Sequence, residues 1–283
     1  MEPEYLAAHA QEHRDRPNTV YNSKLHVTRF MDWRQGRELT PALLQDYHTQ
    51  LALSPFYKRN STRNLAGACV KAMLHWCRKR GTLALTTDQI TESLPTFKKE
   101  KKLPVVWSVG QIAKLAEACK PYRTGRTVLA LLVTGCRREE LLSMDESNVT
   151  EQGLKIIGTK TRTERMMPWS LLGDARTLFT DFPFRWLPHE WKTIRKAAGI
   201  EGPIKSTRST MATFMISSGQ VSAYACAKLL GHSIAIAEIT YWGAPIFGIT
   251  GKTIPEWMGL TLQSSNARIS TSSSQAINSE IVA

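Results

Sequence analysis

Arg137, Lys160, Lys205, Arg208, His232 and Tyr241 are the residues of this chain whose types and spacing could do chemistry. Arg137 lies in Thr134-Gly135-Cys136-Arg137-Arg138-Glu139-Glu140-Leu141, Lys160 in Gly158-Thr159-Lys160-Thr161, and Arg208 in Lys205-Ser206-Thr207-Arg208. His232 closes Leu230-Gly231-His232, and Tyr241 follows nine residues later. Several fixed cations and one nucleophilic hydroxyl are what the breaking and rejoining of a phosphodiester without a metal would require. Exchange at phosphorus is slowed by charge repulsion and a poor leaving group. A protein lowers both barriers by placing positive charge and hydrogen-bond donors around the pentavalent phosphorane.

Each residue type suits a part of that task. The planar fork of arginine reaches two phosphate oxygens at once, which makes Arg137 and Arg208 the candidate clamp. An alkoxide leaving group needs an acid within hydrogen-bond reach, and a lysine such as Lys160 can be that acid. Lys205 can donate to a phosphate oxygen but is a poor proton acceptor near neutral pH unless desolvated. His232 is a neutral-pH donor placed directly after a helix-ending glycine. A tyrosine hydroxyl, with an ordinary pKa of about 10, needs nearby cations or a base before it attacks. Taken singly, each has an ordinary alternative: a surface arginine after a helix end, a solvated lysine in a turn, a buried aromatic on a short helix. The ordered set carries the inference.

The elements that must position these residues can be read from local signals. Asn18 is a candidate cap for a helix from about Thr19 to Trp33, with Val20, Leu25, Phe30 and Trp33 near one face. Thr40-Pro41 reads as a cap followed by a first-turn proline, opening a helix through Tyr47 and Leu51. A third helix starts near Ser61, runs through Leu65, Val70, Met73, Leu74 and Cys77, and ends at Gly81. Lys58, Arg59 and Arg63 flank its start, a pattern that fits a phosphate cradle or a solvated helix end equally. The stretch from Pro95 to Pro104 carries Lys98, Lys99, Lys101 and Lys102 and reads as an extended, exposed basic linker, either following a DNA backbone or acting as a solubilising hinge. Ser108 with Gln111 forms a capping-box signature, and a helix near Thr127 to Val133 ends at Thr134-Gly135. Leu154 to Ile157 and Met166-Met167 read as strands around a polar turn, Thr159 to Thr163. Helical patterns return at Leu187 to Ala198, Thr207 to Ser217 and Ser222 to Leu230, and a polar, disorder-prone tail begins near 262.

Composition bounds the rest. The chain has 283 residues, of which 42% are hydrophobic, enough for about two cores and with no apolar run of membrane-spanning length. Met-Glu-Pro-Glu-Tyr at the start lacks the pattern of a secretory signal. Five cysteines without close metal-type spacing fit reduced thiols and a cytoplasmic location. Lys and Arg exceed Asp and Glu by 37 to 24, a formal charge of +13 that favours a polyanionic partner.

The order and spacing of the motifs resemble the tyrosine recombinase (phage integrase) family. Thr134-Gly135-x-Arg137 with Glu140-Leu141, Lys160 with Pro168 eight residues later, Arg208, and Leu230-Gly231-His232 before Tyr241 carry the resemblance. It implies an α+β, mainly α fold. A helical core-binding domain would occupy 1–95, a basic linker 96–106, and a mixed catalytic domain with a small antiparallel sheet 107–261, before a tail at 262–283. It further implies cleavage of duplex DNA at specific sites through a 3′-phosphotyrosine, with Tyr241 as nucleophile, Lys160 protonating the 5′ oxygen, and no metal or ATP. Its expected partners are double-stranded DNA, further copies in a tetramer, and accessory or directionality proteins; in a prokaryotic host it would sit with the nucleoid. Lys205 departs from the family pattern, which has histidine there, and a basic residue at this place is similar to the type IB topoisomerases. A DNA relaxase of that kind and a non-cleaving DNA-binding regulator are the competing expectations. After Tyr241, Ile254, Trp257, Met258 and Leu260 fit either an anchor on a neighbouring copy or the chain's own core.

Overall fold

The computed structural model describes residues 2–98, 103–159, 163–219, 221–231, 253–262 and 269–270. The chain divides into two compact units, Met1–Lys101 and Lys102–Ala283. It is mainly helical, and among the described residues its β structure is one antiparallel hairpin and one two-residue ladder. No described helix is long and apolar enough to cross a membrane.

The first unit contains five helices: α1 (Glu2–Glu12), α2 (Pro17–Arg34), α3 (Pro41–Leu53), α4 (Asn60–Lys79) and α5 (Thr87–Ser93). Thr40 caps α3 by accepting from the Leu43 N–H at 3.2 Å, as its sequence predicts. Gly81, just past α4, takes the left-handed φ of 71° expected of a glycine after a helix end. The sequence reading misplaces the start of α2. Pro17 occupies its first turn and Arg16 precedes it without a side-chain cap, so Asn18 lies inside the helix. Its buried stripe is Ser23, His26, Val27 and Phe30, while Val20, Leu25 and Trp33 are only half-buried. Two polar residues sit in that stripe because neighbours satisfy them: Ser23 pairs with the Tyr5 hydroxyl at 3.3 Å, and His26 Nδ1 with Tyr57 at 3.4 Å. α1 and α5 are additions to the sequence reading. The core gathers Phe30, Leu44, Leu51, Val70, Met73, Leu74 and Ile90.

The first residues of the basic linker are pinned rather than loose. Asn64 Nδ2 donates to the Phe97 carbonyl at 2.9 Å and its Oδ1 accepts from the Phe97 N–H at 2.7 Å. One helical turn earlier, Asn60 Nδ2 reaches the Lys98 carbonyl at 2.7 Å. The Phe97 ring stacks on His48 with centroids 4.1 Å apart. Lys99, Lys101 and Lys102 lie outside the described residues.

The second unit is built around α7 (Arg123–Thr134), buried along its whole length from Thr127 onward. Among the described residues the other α-helices are α6 (Val109–Cys119), α8 (Arg138–Leu142), α9 (Trp169–Leu172), α10 (Pro188–Ala197), α11 (Ser206–Ser217), α12 (Ala223–Leu230) and α13 (Ile254–Trp257). α6, α8, α10 and α11 pack on α7. The Ser108–Gln111 capping box forms as expected. The chain enters this unit through Trp107, which is fully buried; its N–H donates to Thr210 Oγ1 at 3.1 Å and its indole to the Glu201 carbonyl at 2.9 Å. Strands β1 (Gly153–Ile157) and β2 (Glu164–Pro168) pair from Gly153↔Pro168 to Ile157↔Glu164. Ile254, Trp257, Met258 and Leu260 are buried in this unit's own core, which removes them as an anchor on another copy. Within the tail, Ile269–Ser270 pairs with Thr261–Leu262; 263–268 and 271–283 are outside the described residues.

Truncating Asn64 tests the strap on α4. Asn64→Ala removes two hydrogen bonds to one backbone residue, and a loss of about 1–3 kcal/mol is expected in the first unit. The measurement is the urea midpoint of that unit's transition; an unchanged midpoint refutes the strap.

Candidate active site

Two helix ends and two helix starts build the site. α7 ends on Gly135, whose φ of 58° places it in the left-handed region. A Cβ there would also lie 2.7 Å from Leu230 Cδ2, so only glycine fits both the turn and the approach of α12. α12 likewise ends on a left-handed glycine, Gly231, at φ 67°. The carbonyls at these ends carry the negative pole of their helices and are short of intrahelical donors. Arg208, on the first turn of α11, supplies donors to both: Nη1 to the Gly135 carbonyl at 2.8 Å, and Nη2 to the Leu230 carbonyl. A guanidinium held by two carbonyls has a fixed plane.

Arg137 is fixed from the other side. It precedes α8, and Glu140 reaches back to it: the Arg137 backbone N–H donates to Glu140 Oε2 at 2.8 Å, and its Nη1 to Oε1 at 2.7 Å. The Glu140 carboxylate is fully buried whereas the Arg137 side chain is 43% exposed, so one part of the guanidinium is anchored and the rest remains accessible. Arg165, from β2, donates Nη2 to Glu140 Oε2 at 2.5 Å and Nε to the Leu229 carbonyl at 2.8 Å. Burial by itself would raise the Glu140 pKa. The hydrogen bonds and charges of Arg165 and Arg137 outweigh burial and hold the carboxyl below its ordinary value.

Arg137, Lys205 and Arg208 line one cleft of about 450 Å³, together with Arg138 and Thr207. Lys205 is exposed and sits at the N-cap of α11. Cys136 also lines the cleft, but burial pushes its thiol up to about 11, so it is a neutral packing group. The lining carries four cations, three of them arginines, and one acid, Glu139, which pairs with Arg138 at 2.6 Å. Lys160, His232 and Tyr241 lie outside the described residues. The ends of the Lys160 turn are set by Gly158 N–H donating to the Thr163 carbonyl at 2.9 Å. Sequence reasoning missed Arg165, which looks like any charged residue on a strand. It noticed Glu140 only as part of a motif, although the three-residue spacing from Arg137 to an acid is the signature of a carboxylate returning to a helix start.

The basic residues of the first unit differ among themselves. Lys58, Arg59 and Lys98 are exposed. Arg63 is turned inward: Nη1 donates to Asn60 Oδ1 at 2.7 Å and Nη2 to the Ala52 carbonyl at 2.8 Å, tying the end of α3 to the start of α4.

The Glu140 network gives a pH prediction. A carboxyl whose folded pKa is depressed stabilises the fold above its unfolded pKa, and this contribution is lost as pH falls through the folded value. Glu140→Gln should therefore cost stability at neutral pH, by about 3 kcal/mol, because Arg165 stays buried without a counter-charge. The gap from wild type should close as pH drops below about 4.3, the ordinary glutamate pKa. Urea titrations of both proteins across pH 3–7 measure it; a gap independent of pH contradicts the buried carboxylate.

No family model matches this sequence, and no curated protein matches it. Solved structures do. A lambda integrase tetramer bound to a Holliday junction is similar over 88% of this chain and 79% of its own, with a TM-score of 0.64 at 15% identity. A lambda integrase (75-356) dimer bound to a COC′ core site is similar over 82% of this chain and 92% of its own, at a TM-score of 0.63 and 15% identity. XerH site-specific recombinase, in a post-cleavage complex with a palindromic difH substrate, is similar over 78% and 75%, at a TM-score of 0.58 and 15% identity. The chain therefore has the fold of the tyrosine recombinases.

Proposed function

We propose that this protein is a site-specific tyrosine recombinase, an integrase-type enzyme that cuts and rejoins duplex DNA through a 3′-phosphotyrosine. The observation that carries the reading is the convergence of Arg137, Lys205 and Arg208 on one cleft, in a fold shared with DNA-bound integrases and recombinases. Arg137 and Arg208 would grip the nonbridging oxygens of the scissile phosphate, each guanidinium held beforehand by protein acceptors. Such preorganised donors gain strength where charge builds up in the transition state. Lys205 would donate to the same phosphate. Tyr241 would attack, Lys160 would protonate the departing 5′ oxygen, and His232 would donate to the phosphate. Bond energy would be kept in the protein–DNA ester, so the exchange would need neither metal nor ATP.

The same reading extends to partners. The exposed Lys58, Arg59 and Lys98, with Lys99, Lys101 and Lys102 beyond them, are candidates for backbone phosphates of the duplex. Recombination between two duplexes would require four copies, as in the lambda integrase tetramer to which this chain is similar. In a prokaryotic host, work on DNA would put the protein in the cytoplasm with the nucleoid, and accessory proteins would set direction.

One observation favours a second reading, a type IB topoisomerase-like relaxase: the position usually occupied by histidine is Lys205, and it lines the cleft. Relaxation of a plasmid that lacks any attachment site distinguishes that activity.

The deciding experiment uses nicked suicide duplexes tiled across the DNA that flanks the encoding gene, and takes the one that the protein binds. Wild type is expected to form a covalent complex stable to denaturing gel electrophoresis, and Tyr241→Phe none. Arg137→Ala and Arg208→Ala are expected to slow its formation by about 10²–10³-fold each. A wild type that binds this duplex and never becomes attached to it is a regulator, and the recombinase reading then fails.

A further inference from the structure

Arg165 belongs to neither the ordered cation set nor the cleft lining, yet its side chain is only 9% exposed, against 43% for Arg137. Its strand and its two side-chain contacts belong to three separate segments. Its backbone is in β2, the strand that leaves the Lys160 turn. Its Nη2 meets Glu140, the carboxylate that holds Arg137. Its Nε meets the Leu229 carbonyl, two residues before the left-handed Gly231 that precedes His232. Space there is also tight, since a Cβ on Gly231 would come within 3.3 Å of Arg165 Nη1.

We propose that Arg165 is a positioning residue that couples the hairpin and the end of α12 to Arg137 through Glu140. The inference rests on the reading that Arg137 grips a phosphate, and it adds a residue which that reading does not require. Glu140 has two oxygens: Oε1 takes Arg137 Nη1, while Oε2 takes both the Arg137 N–H and Arg165 Nη2. With Arg165 removed, nothing described fixes the rotation of the carboxylate from the far side, and the direction it gives Arg137 loosens. Charge alone does not satisfy this geometry. A lysine cannot span the Glu140 oxygen and the Leu229 carbonyl with a planar fork. A displacement of about 1 Å at a reacting group is enough for a rate loss of roughly 100-fold.

The test separates positioning from folding and from the assignment of activity. The full chain is labelled with 15N and 13C arginine. The Arg137 guanidinium signal is identified by its loss in Arg137→Lys, and inorganic phosphate is titrated in. Arg165→Lys keeps the charge, and Glu140→Gln/Arg165→Met removes both buried charges together, so that one of them yields a folded protein. For Arg165→Lys, the expectation is an unfolding midpoint close to wild type, a shifted or broadened Arg137 signal, and phosphate affinity at the cleft lowered at least threefold. Adding Arg165→Met to Glu140→Gln should produce no further change in the Arg137 signal, because the effect runs through that carboxylate. A wild-type Arg137 signal and phosphate affinity in folded Arg165→Lys overturns the proposal. So does a separate additive effect of Arg165→Met on Arg137 when Glu140 is already glutamine. Neither readout depends on DNA cleavage, so failure of the covalent-complex assay remains a separate result.

Discussion

The site depends on one buried carboxylate shared by two guanidinium groups. Glu140 has no solvent-exposed side-chain surface, and a lone charge in that position would protonate rather than stay ionised. Arg137 and Arg165 keep it ionised, and it in turn fixes where Arg137 points. Ion pairs of this kind are poor sources of stability, because apolar residues of similar volume often hold a fold as well or better. What apolar packing lacks is direction. A bidentate acid sets the plane of a guanidinium, and that plane decides whether its other edge meets an incoming anion.

The second arginine reaches a fixed plane by different means. Arg208 is oriented by the carbonyls of Gly135 and Leu230. Those acceptors exist because α7 and α12 both stop at left-handed glycines, which end the helical ladder and leave terminal carbonyls without partners. Helix ends that would otherwise need water hold one arginine of the cleft, which on the proposed reading is half of a phosphate clamp. The core enforces the arrangement: α7 is buried from Thr127 to its end, and the close approach of Leu230 to Gly135 sets the spacing of the two ends. Replacement of Gly135 would move both arginines, since it lies two residues before Arg137 and bonds Arg208 directly.

Much of this was legible in the sequence because the relevant signals are local. Thr40-Pro41, the Ser108–Gln111 box, Gly81 and Gly135 act within one turn of the residues they stop or start, and the elements they mark appear in place. The antiparallel hairpin followed from two short strand-like runs around a polar turn. The failures are tertiary. The buried stripe of α2 includes Ser23 and His26 because Tyr5 and Tyr57 arrive from elsewhere to satisfy them, and no periodicity count contains that information. Arg63 looked like a phosphate ligand, but two acceptors on neighbouring segments draw it inward. The linker is exposed at Thr96, Lys98 and Leu103 as read, but its pinning was not legible: Asn60 and Asn64, one turn apart on α4, match the spacing of its backbone.

Arg165 shows why partner geometry outranks residue type in such a reading. A charged residue on a two-stranded hairpin is expected to face water, and its neighbours Glu164 and Met166 on the same strand are exposed. The alternation of side chains along β2 turns Arg165 toward α12 instead, where Glu140 and the Leu229 carbonyl lie within reach of one planar fork. Arginine can enter so enclosed a place because its donors are spread over a rigid plane and can be satisfied from several directions at once. Arg137, Lys205 and Arg208 therefore line the cleft while Arg165 stands behind them, neutralised by Glu140, where on the proposed reading it holds Arg137 still.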